Sequence, residues 1–352
     1  MSTGMTHIRK ANNFDIIRII FAWLVIVSHS YVLIGNKGCD PLCEWTDHYI
    51  NLSYFGVKGF ITISGFLIFK SLERSPNVLD YLWKRVLRIY PGLIIVLLLS
   101  VGMAYIIYQP KQTYFKFEKE AVSYILNNLT LYHNQWRIHG VFDKNVNTAI
   151  NGSLWTMGFE FFFYLVLLFL FPFRQFKWLV ISILILTILG LLYGNIFHIA
   201  SLKHINFKLR VDFIVELGFF FLIGSFWAAL DWNSIPYRTQ LAILALISNI
   251  VIIYFKLNPI WLGFSWPYLV LYIGEGNSRL ADWIHNNIED PSYGIYLYAF
   301  PVQQLIIYCF QPSVMFLLWS STIISFILGI ASWKLIEKKM LRFKNLFVFG
   351  TR

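Results

Sequence analysis

The sequence predicts an all-α integral membrane protein with about ten transmembrane helices and both termini in the cytoplasm. Of its 352 residues, 57% are hydrophobic and only 13% are charged, whereas soluble domains carry about 25% charged residues. The apolar residues fall in runs of roughly 17 to 24, which is long enough for a helix to cross a bilayer. Composition therefore excludes an ordinary soluble protein and predicts one membrane domain over residues 1–352.

Apolar runs define the individual predicted spans. The segment at 260–275 is the weakest of them, because Trp266-Pro267 interrupts it. The long gap at 110–152 contains an amphipathic stretch, EKEAVSYILNNLTLY, which would lie at the membrane interface or dip into the bilayer. The predicted spans are residues 14–35, 53–72, 91–109, 153–172, 178–197, 213–230, 239–256, 260–275, 292–310 and 314–335.

Lys and Arg residues set the predicted orientation. The net charge is +11, and in membrane proteins such an excess lies in cytoplasmic loops, so it does not argue for nucleic acid. With the amino terminus inside, the cytoplasmic side holds more Lys and Arg than the outer side. The polar start MSTGMTHIRKANNFD predicts that no cleavable signal peptide is present. The cytoplasmic cations include Arg9, Lys10, Lys70, Arg74, Lys84, Arg174, Lys177, Arg238, Lys338, Lys344 and Arg352.

Two of the three cysteines share one loop. Cys39 and Cys43 form a C-x3-C pair, and Cys309 lies near the end of a predicted span. The pair has no partner cysteines or histidines at the spacing of metal ligands, so it does not predict a metal site. Two outcomes stay open at this point: a local disulfide if the loop is extracytoplasmic, or two free thiols.

Arg18 and His29 are ionisable residues inside the first predicted span. Such residues are costly in lipid and often mark functional sites. Their spacing of eleven residues puts them on one helix face within roughly 20° and about 16 Å apart along the axis. Each also has a simpler interpretation, because Arg18 is close enough to the helix end to snorkel and a lone histidine is often a packing residue.

Lys58 and Glu160 lie at a similar predicted depth to His29, on the second and fourth spans. Helix arithmetic puts His29 and Glu160 each roughly 10 Å below the outer surface. A base, an acid and a cation at one level predict a polar chamber that opens outward. Ser64-Gly65 lies near mid-depth, where a small pair also permits close helix approach.

Arg85 and Arg88 lie just before the third span and would share a helix face. Their forked donors suit phosphate oxygens, although ordinary cytoplasmic charge explains them as well. An arginine-rich mouth at one end and a polar chamber at the other fit the transfer of a group, or the movement of a solute, across the membrane.

Six sequence motifs occur in order along the chain. They are Arg18-x10-His29; Phe60, Ser64, Gly65, Phe66 and Leu67; Arg85, Arg88 and Pro91; Ser153, Leu154, Trp155, Glu160, Phe163 and Tyr164; the run PSYGIYLYAFP; and Trp333 with Glu337. Together they resemble the acyltransferase-3 family, bacterial membrane acyltransferases that O-acetylate O-antigen, exopolysaccharide, Nod factor and some antibiotics. The chain departs from many members at Ala299, where they carry a histidine, so no role of that histidine applies here.

The resemblance implies an enzyme of the bacterial inner membrane that transfers an acyl group, most often acetyl, from cytoplasmic acyl-CoA to a hydroxyl of a cell-surface or lipid-linked glycan. Acetyl-CoA or another acyl-CoA would be the donor, and no metal is expected. The expected partners are acyl-CoA, the glycan acceptor and membrane lipid, without nucleic acid; a homo-oligomer is allowed. The residues expected to bind the donor are Arg18, Arg85, Arg88, Ser64 and Gly65.

His29 and Glu160 are the expected catalytic residues. His29 would take the proton of the acceptor hydroxyl or carry the acyl group itself, and Glu160 would orient His29 or stabilise its imidazolium. Lys58, Ser153 and Trp155 would bind the acceptor. Two rival functions use the same membrane architecture. One is an exporter of an acylated or acidic small molecule, and the other is a scaffold for polysaccharide export in which His29 is dispensable.

Overall fold

The computed structural model describes residues 12–35, 38–109, 114–196, 210–230 and 232–348. These residues form helices and short turns, with no strand among them, which confirms the predicted all-α class. Arg9, Lys10, Arg352 and the last residue of the span predicted at 178–197 lie outside the described ranges. The helices are α1 (Phe14–Leu33), α2 (Pro41–Trp45), α3 (Leu52–Arg74), α4 (Val78–Ile107), α5 (Tyr114–Leu129), α6 (Trp155–Leu168), α7 (Lys177–Ile196), α8 (Val211–Ala229), α9 (Arg238–Tyr254), α10 (Leu262–Gly274), α11 (Arg279–Asn287), α12 (Ser292–Phe310), α13 (Val314–Ser332) and α14 (Lys338–Met340).

Every predicted span overlaps one of these helices. Within the described ranges, six segments are long and apolar enough to cross a membrane: α1, α3, α4, α7, α8 and the segment Val314–Asn345 that begins with α13. The other four are α6, α9, α10 and α12, which are shorter or less apolar; α10 has only 13 residues, and α12 carries Gln303 and Gln304. The structure supports a multi-pass membrane protein, and both the count of about ten spans and the orientation stay predictions.

Helix α4 begins well before the span predicted at 91–109. Asn77 caps it by accepting a hydrogen bond from the Asp80 N–H at 2.8 Å, and Pro91 lies inside the helix. The basic run before Pro91 therefore belongs to the same continuous helix as the span predicted at 91–109. Arg85 and Arg88 consequently project from a rigid helix toward its neighbours.

Helix α3 lies at the centre of the bundle, with α1, α8 and α10 packed against it. A Cβ atom on Gly65 would lie 2.0 Å from the Phe221 carbonyl oxygen, and one on Gly224 would lie 2.2 Å from the Thr62 carbonyl oxygen. Helix backbones come this close only where side chains are absent. Gly65 therefore packs α3 against α8, and the role in donor binding that the resemblance assigned to it stays a prediction.

The loop after α1 contains a disulfide between Cys39 and Cys43. Asp40 stabilises the turn between them, because its carboxylate accepts hydrogen bonds from the N–H groups of Leu42 and Cys43 at 3.1 and 3.0 Å. The disulfide decides between the two outcomes that the sequence left open. His48 lies beside it, with Nδ1 3.4 Å from the Cys39 sulfur, but sulfurs bonded to each other are not thiolate ligands for a metal.

Candidate active site

A cavity of about 630 Å³ lies between α1, α3, α4, α6, α12 and the segment after α14. We call it the arginine cavity. Cations surround its mouth, since Arg74, Lys84 and Lys344 line it together with Arg85. Lys84 also pairs with the buried Asp80 at 2.6 Å. The mouth of this cavity therefore favours a negatively charged ligand.

Arg18 and Arg88 also line the arginine cavity, but both are held by one carboxylate. Each donates to Oδ2 of Asp290 at 2.5 Å, and the Ser292 hydroxyl donates to the other oxygen at 2.5 Å. Burial by itself would raise the pKa of Asp290. The two facing guanidiniums have the larger effect and hold the pKa of this carboxyl well below its usual range. This cluster, which we call the Asp290 clamp, ties α1 and α4 to the start of α12.

Arg85 differs from these two arginines because it has no carboxylate partner in the described part of the chain. Its Nη2 donates to the Ser71 hydroxyl at 3.1 Å, and its Nε is buried without a hydrogen-bond partner among the described residues. The centre of its guanidinium lies 5.9 Å from the Tyr164 ring. Arg85 therefore keeps donors free for an anionic ligand, whereas Arg18 and Arg88 already serve Asp290.

Glu160 projects from α6 into the arginine cavity and accepts two hydroxyl donors. The Ser64 hydroxyl of α3 and the Tyr164 hydroxyl, one turn further along α6, both donate to Glu160 Oε1. The two hydroxyl oxygens lie 3.5 Å apart. The carboxylate thus fixes the position of both hydroxyls, which is the arrangement needed to present polar atoms to a ligand in an otherwise apolar wall.

His29 lies in a second cavity of about 970 Å³, between the end of α1, α5 and the connection before α6. We call it the histidine cavity. The His29 ring meets the Phe300 ring edge-on, with centroids 5.3 Å apart. Its Nδ1 is buried and has no hydrogen-bond partner in the described ranges. Trp136 and Arg137 line the same cavity, so it combines an imidazole, an aromatic face and a cation.

The roof of the histidine cavity is fixed to α12 and α5. Gln304 Nε2 donates to the carbonyl oxygens of Asn147 and Ala149 at 2.6 and 2.5 Å. On the other side, Glu120 accepts from the His139 N–H at 2.8 Å. Burial would raise the pKa of Glu120, but the hydrogen bonds from His139 lower it. The amphipathic stretch that the sequence placed at the interface therefore forms one wall of this cavity as α5.

His29, Lys58 and Glu160 do not share one chamber, which corrects the sequence prediction. His29 lines the histidine cavity and Glu160 the arginine cavity, and the two cavities have no lining residue in common. Lys58 lines neither of them and pairs with Glu216 of α8 at 2.9 Å. Helix arithmetic gave similar depths, but depth does not determine the direction in which each helix face points once the helices pack.

Ser153 and Trp155, expected to bind the acceptor, line neither cavity. Trp155 packs against Phe213 of α8, with ring centroids 4.7 Å apart. The Ser153 side chain is buried, and its carbonyl oxygen accepts a hydrogen bond from the Tyr296 hydroxyl at 3.1 Å. These contacts tie the start of α6 to α8 and α12, and acceptor binding by Ser153 and Trp155 stays a prediction.

The boundary between the two cavities lies at α12. Tyr296 lines the arginine cavity and Phe300, one turn later, lines the histidine cavity. The Tyr296 hydroxyl is 2.8 Å from the Thr156 hydroxyl oxygen, and Gly152 lies directly against the Phe300 ring. Two aromatic side chains of α12 and the start of α6 thus separate the cavities.

Sequence reasoning missed Asp290, the residue that holds two of the predicted site arginines. Only charged residues inside predicted membrane spans were considered as site candidates, and Asp290 lies outside them, in the connection between α11 and α12. The sequence did contain a signal for Asp290. An arginine inside a membrane span needs a counter-ion, and Asp290 is an acidic residue directly before the PSYGIYL run. Pattern alone does not pair residues so far apart in sequence.

Comparison with known proteins identifies the family of this chain. Residues 12–334 match the acyltransferase-3 family model, which is described as an acyltransferase domain. An O-acetyl transferase of Shigella phage Sf6 is 27% identical over 355 aligned positions, covering 94% of this chain and 96% of that protein. Nodulation protein 10 of Rhizobium leguminosarum bv. viciae is 30% identical over 169 residues, covering 44% of this chain and 43% of that protein. No solved structure matches. Both cavities lie almost entirely within the matched residues, and the chain belongs to the acyltransferase-3 family.

Proposed function

We propose that this protein transfers an acyl group, most simply acetyl, from cytoplasmic acyl-CoA to a hydroxyl of a cell-surface or lipid-linked glycan. The observation that carries the proposal is the pairing of a cation-rimmed cavity in one part of the membrane domain with a histidine-containing cavity in another. Membership of an acyltransferase family supports transfer chemistry over export or scaffolding. The O-acetyl transferase among the relatives supports a hydroxyl oxygen as the acceptor of the acyl group.

The arginine cavity is the proposed donor site. Acyl-CoA is a substrate that carries several phosphate charges, and Arg85, Arg74 and Lys344 offer donors at the cavity mouth. The free Nε of Arg85 supports this assignment. Its volume of about 630 Å³ falls in the range of roughly 300–1,000 Å³ that is usual for ligand sites. Arg18 and Arg88 act indirectly, because the Asp290 clamp fixes the helix that carries Arg85.

The histidine cavity is the proposed acceptor site. Trp136 is 38% exposed in its wall, and an exposed indole suits the apolar face of a sugar ring while neighbouring polar groups bind its hydroxyls. Arg137 and Asn134 supply such groups in the same wall. An acceptor that reaches His29 through this opening would place a hydroxyl next to the imidazole.

His29 is the proposed general base. A hydroxyl becomes an effective nucleophile when a base takes its proton in the transition state. The acceptor oxygen then forms a bond to the acyl carbon, the carbon–sulfur bond of the thioester breaks, and CoA leaves as a thiolate that recovers the proton from the imidazolium. In the alternative use of His29, its ring nitrogen attacks the thioester first and carries the acyl group. Mass spectrometry of protein quenched during turnover decides between these, because only the second leaves an acylated His29.

Transfer requires the two cavities to join. Donor and acceptor bind on opposite sides of the boundary at Tyr296 and Phe300, so these rings must move before the thioester can meet the hydroxyl. The contact between the Tyr296 and Thr156 hydroxyls, 2.8 Å apart, ties α12 to α6 at this boundary. Keeping it closed would protect the thioester from hydrolysis.

The disulfide supports the proposed orientation in the bacterial inner membrane. Disulfides persist in oxidising compartments and are rare in the cytosol, which favours an extracytoplasmic position for the Cys39–Cys43 loop. This loop follows the His29 end of α1, and Arg18 lies at the other end. The donor cavity would then open to the cytoplasm, where acyl-CoA is made.

The test is a comparison of surface glycan from cells with and without this protein. The expected result is a mass increase of one acyl group per modified sugar, with matching consumption of acetyl-CoA by the purified protein in vesicles. An exporter would move solute without consuming acyl-CoA. A scaffold would support glycan modification equally well with His29→Ala. Either result overturns the proposal.

A further inference from the structure

We propose that the inner end of the arginine cavity is a closed pocket for the acyl group of the donor, and that Phe60 limits this group to a short chain. The inner end is the part of the cavity lined by Val57, Phe60, Ile61, Thr156, Met157 and Tyr296. The inference rests on the proposed function, in which this cavity binds acyl-CoA. It adds the length of the acyl group and the residue that sets that length.

The arginine cavity follows one face of α3 over about five turns. The α3 residues that line it, among them Phe60, Ser64 and Ser71, recur every three or four positions, which is the spacing of a single helix face. Arg74 at the mouth and Val57 at the inner end are seventeen positions apart, which corresponds to about 25 Å along the helix axis. The cavity is therefore long, with a distinct mouth and a distinct inner end.

The chemistry of the cavity wall changes along this length. Cations surround the mouth. In the middle, Glu160 accepts from the Ser64 and Tyr164 hydroxyls. None of the six side chains at the inner end is charged. An acyl-CoA has the same order of groups, because its phosphates lie at one end, an arm with two amides follows, and the acyl chain lies beyond the thioester at the other end.

The boundary with the histidine cavity gives a second reason to place the acyl group at the inner end. Tyr296 lines the inner end and is also part of that boundary, so an acceptor that comes from the His29 side meets the arginine cavity here. The acyl carbon must lie beside Tyr296 to be attacked. The chain attached to that carbon then lies against Phe60, whose ring meets the Tyr296 ring edge-on with centroids 5.7 Å apart.

The Phe60 and Tyr296 rings are held by further contacts. Phe60 also meets Phe21 of α1 edge-on, with centroids 5.9 Å apart. The Tyr296 hydroxyl donates to the Ser153 carbonyl oxygen at 3.1 Å and lies 2.8 Å from the Thr156 hydroxyl oxygen. A packed wall accommodates added methylenes only if neighbouring groups move. A longer acyl chain would therefore have to displace one of these two rings.

Leu67 provides a matched comparison on the same helix face. It lines the same cavity and is partly buried, like Phe60. It lies seven residues further along α3, which places it about 10 Å nearer the mouth. A chain that ends beside Phe60 does not reach Leu67, so only Phe60 should affect the accepted chain length.

The decisive experiment measures equilibrium binding of S-alkyl-CoA thioethers, which cannot transfer an acyl group. Full-length protein in lipid nanodiscs is titrated with S-ethyl-, S-butyl- and S-hexyl-CoA. Each methylene that enters open apolar space would strengthen binding about fourfold. A closed pocket has the opposite effect, and we expect S-hexyl-CoA to bind at least about tenfold more weakly than S-ethyl-CoA. An affinity in the wild type that is constant or rises with chain length overturns the inference.

Three variants assign the length limit to the inner end. Phe60→Ala should raise the affinity for S-hexyl-CoA relative to S-ethyl-CoA by about tenfold or more. Val57→Phe should lower the affinity for S-butyl-CoA relative to S-ethyl-CoA, because it fills the pocket. Leu67→Ala should leave both ratios as in the wild type. Unchanged ratios in Phe60→Ala, or an equal change in Leu67→Ala, contradict the inference.

The inference stays testable if Phe60→Ala does not fold. The wild-type series and Val57→Phe still decide, since an unchanged S-butyl to S-ethyl ratio in Val57→Phe also overturns the pocket assignment. The same titrations separate this inference from the proposed function. Wild-type protein that binds neither the thioethers nor acetyl-CoA would refute the proposed donor, and the inference with it. Binding of all three thioethers without discrimination against the longer chains would refute the closed pocket alone.

Discussion

The arginine cavity and the histidine cavity are built in different ways. The first is enclosed by helices, and two carboxylates in or beside it have partners within the bundle: Asp290 pairs with two arginines, and Glu160 accepts from two hydroxyls. The second has one wall on α1 and α12, but its remaining walls come from α5 and the connection that follows it. Several polar groups of that connection, including Arg137 and Asn134, line the opening.

This difference fits the two substrates in the proposal. A donor common to many reactions suits a site made of rigid helices, whose side chains are held to fractions of an ångström by packing. Acceptors differ between enzymes of one type, and binding specificity is commonly carried by loops on a fixed scaffold. The comparison therefore predicts that changes in the arginine cavity affect the fold or the donor, whereas changes around Trp136 affect the acceptor alone.

The largest expected effect is that of His29→Ala. Loss of a general base typically lowers the rate by about 10²–10⁴-fold, so acyl transfer to glycan should fall by that factor while the protein remains folded in the membrane. The measurement is the acylated fraction of glycan over time. His285→Ala is the control, because His285 is exposed on α11 and lines neither cavity. Near wild-type transfer by His29→Ala would remove the functional distinction between the cavities.

Asp290→Asn should cause the next largest effect, on stability. Removing the carboxylate leaves Arg18 and Arg88 partly buried without their ion-pair partner, and breaking a buried pair in this way costs about 3–5 kcal/mol. Thermal unfolding in detergent measures the loss. Lys338→Gln breaks a more exposed pair with Glu289 and should cost less than about 1 kcal/mol. Equal effects of the two variants would show that the clamp does not stabilise the arginine cavity.

The pH dependence of the Asp290 clamp follows from its depressed pKa. The folded-state value lies below the unfolded value of about 3.9. Its contribution to the free energy of unfolding is therefore fully present above about pH 5 and is lost as the pH falls toward the folded-state value. The measurement is the difference in the free energy of unfolding between the wild type and Asp290→Asn, from pH 7 downward. This difference should stay constant to about pH 5 and then shrink.

Arg85→Gln should raise the KM for acetyl-CoA by about 10–100-fold, because a hydrogen bond to a charged group contributes about 1.5–3 kcal/mol. Its melting temperature should change little, since Arg85 makes no ion pair within the described ranges. Arg88→Gln gives the opposite pattern, with clear destabilisation. The KM for acetyl-CoA and the melting temperature are measured for both variants and compared. An unchanged donor KM in Arg85→Gln would refute its phosphate role.

The smallest expected effect is that of Trp136→Ala, which should raise the KM for the glycan acceptor roughly tenfold by removing an aromatic contact. The KM for acetyl-CoA should not change. Trp45→Ala is the control, because Trp45 is an exposed tryptophan on α2 that lines neither cavity. A rise in the donor KM with Trp136→Ala would show that the two sites are not separate.

The predicted helices were reliable because each depends on local properties. Apolar length and period locate a membrane helix from its own residues, and each predicted span corresponds to a helix of the structure. The span predicted at 91–109 covers only the later part of α4, because the helix begins at Val78 and continues through Pro91. The capping residue Asn77 was the local signal for the true start.

The sequence by itself determined the helical membrane architecture, the family and the residue types that carry the proposed chemistry, because these depend on composition, period and motif order. Only the tertiary structure decided which of those residues meet. It separated His29 from Glu160, paired Lys58 with Glu216 and gave Arg18 and Arg88 to Asp290. The physical reason is that helix geometry fixes depth along an axis, whereas the rotation of each helix and its partners depend on packing between residues far apart in the chain.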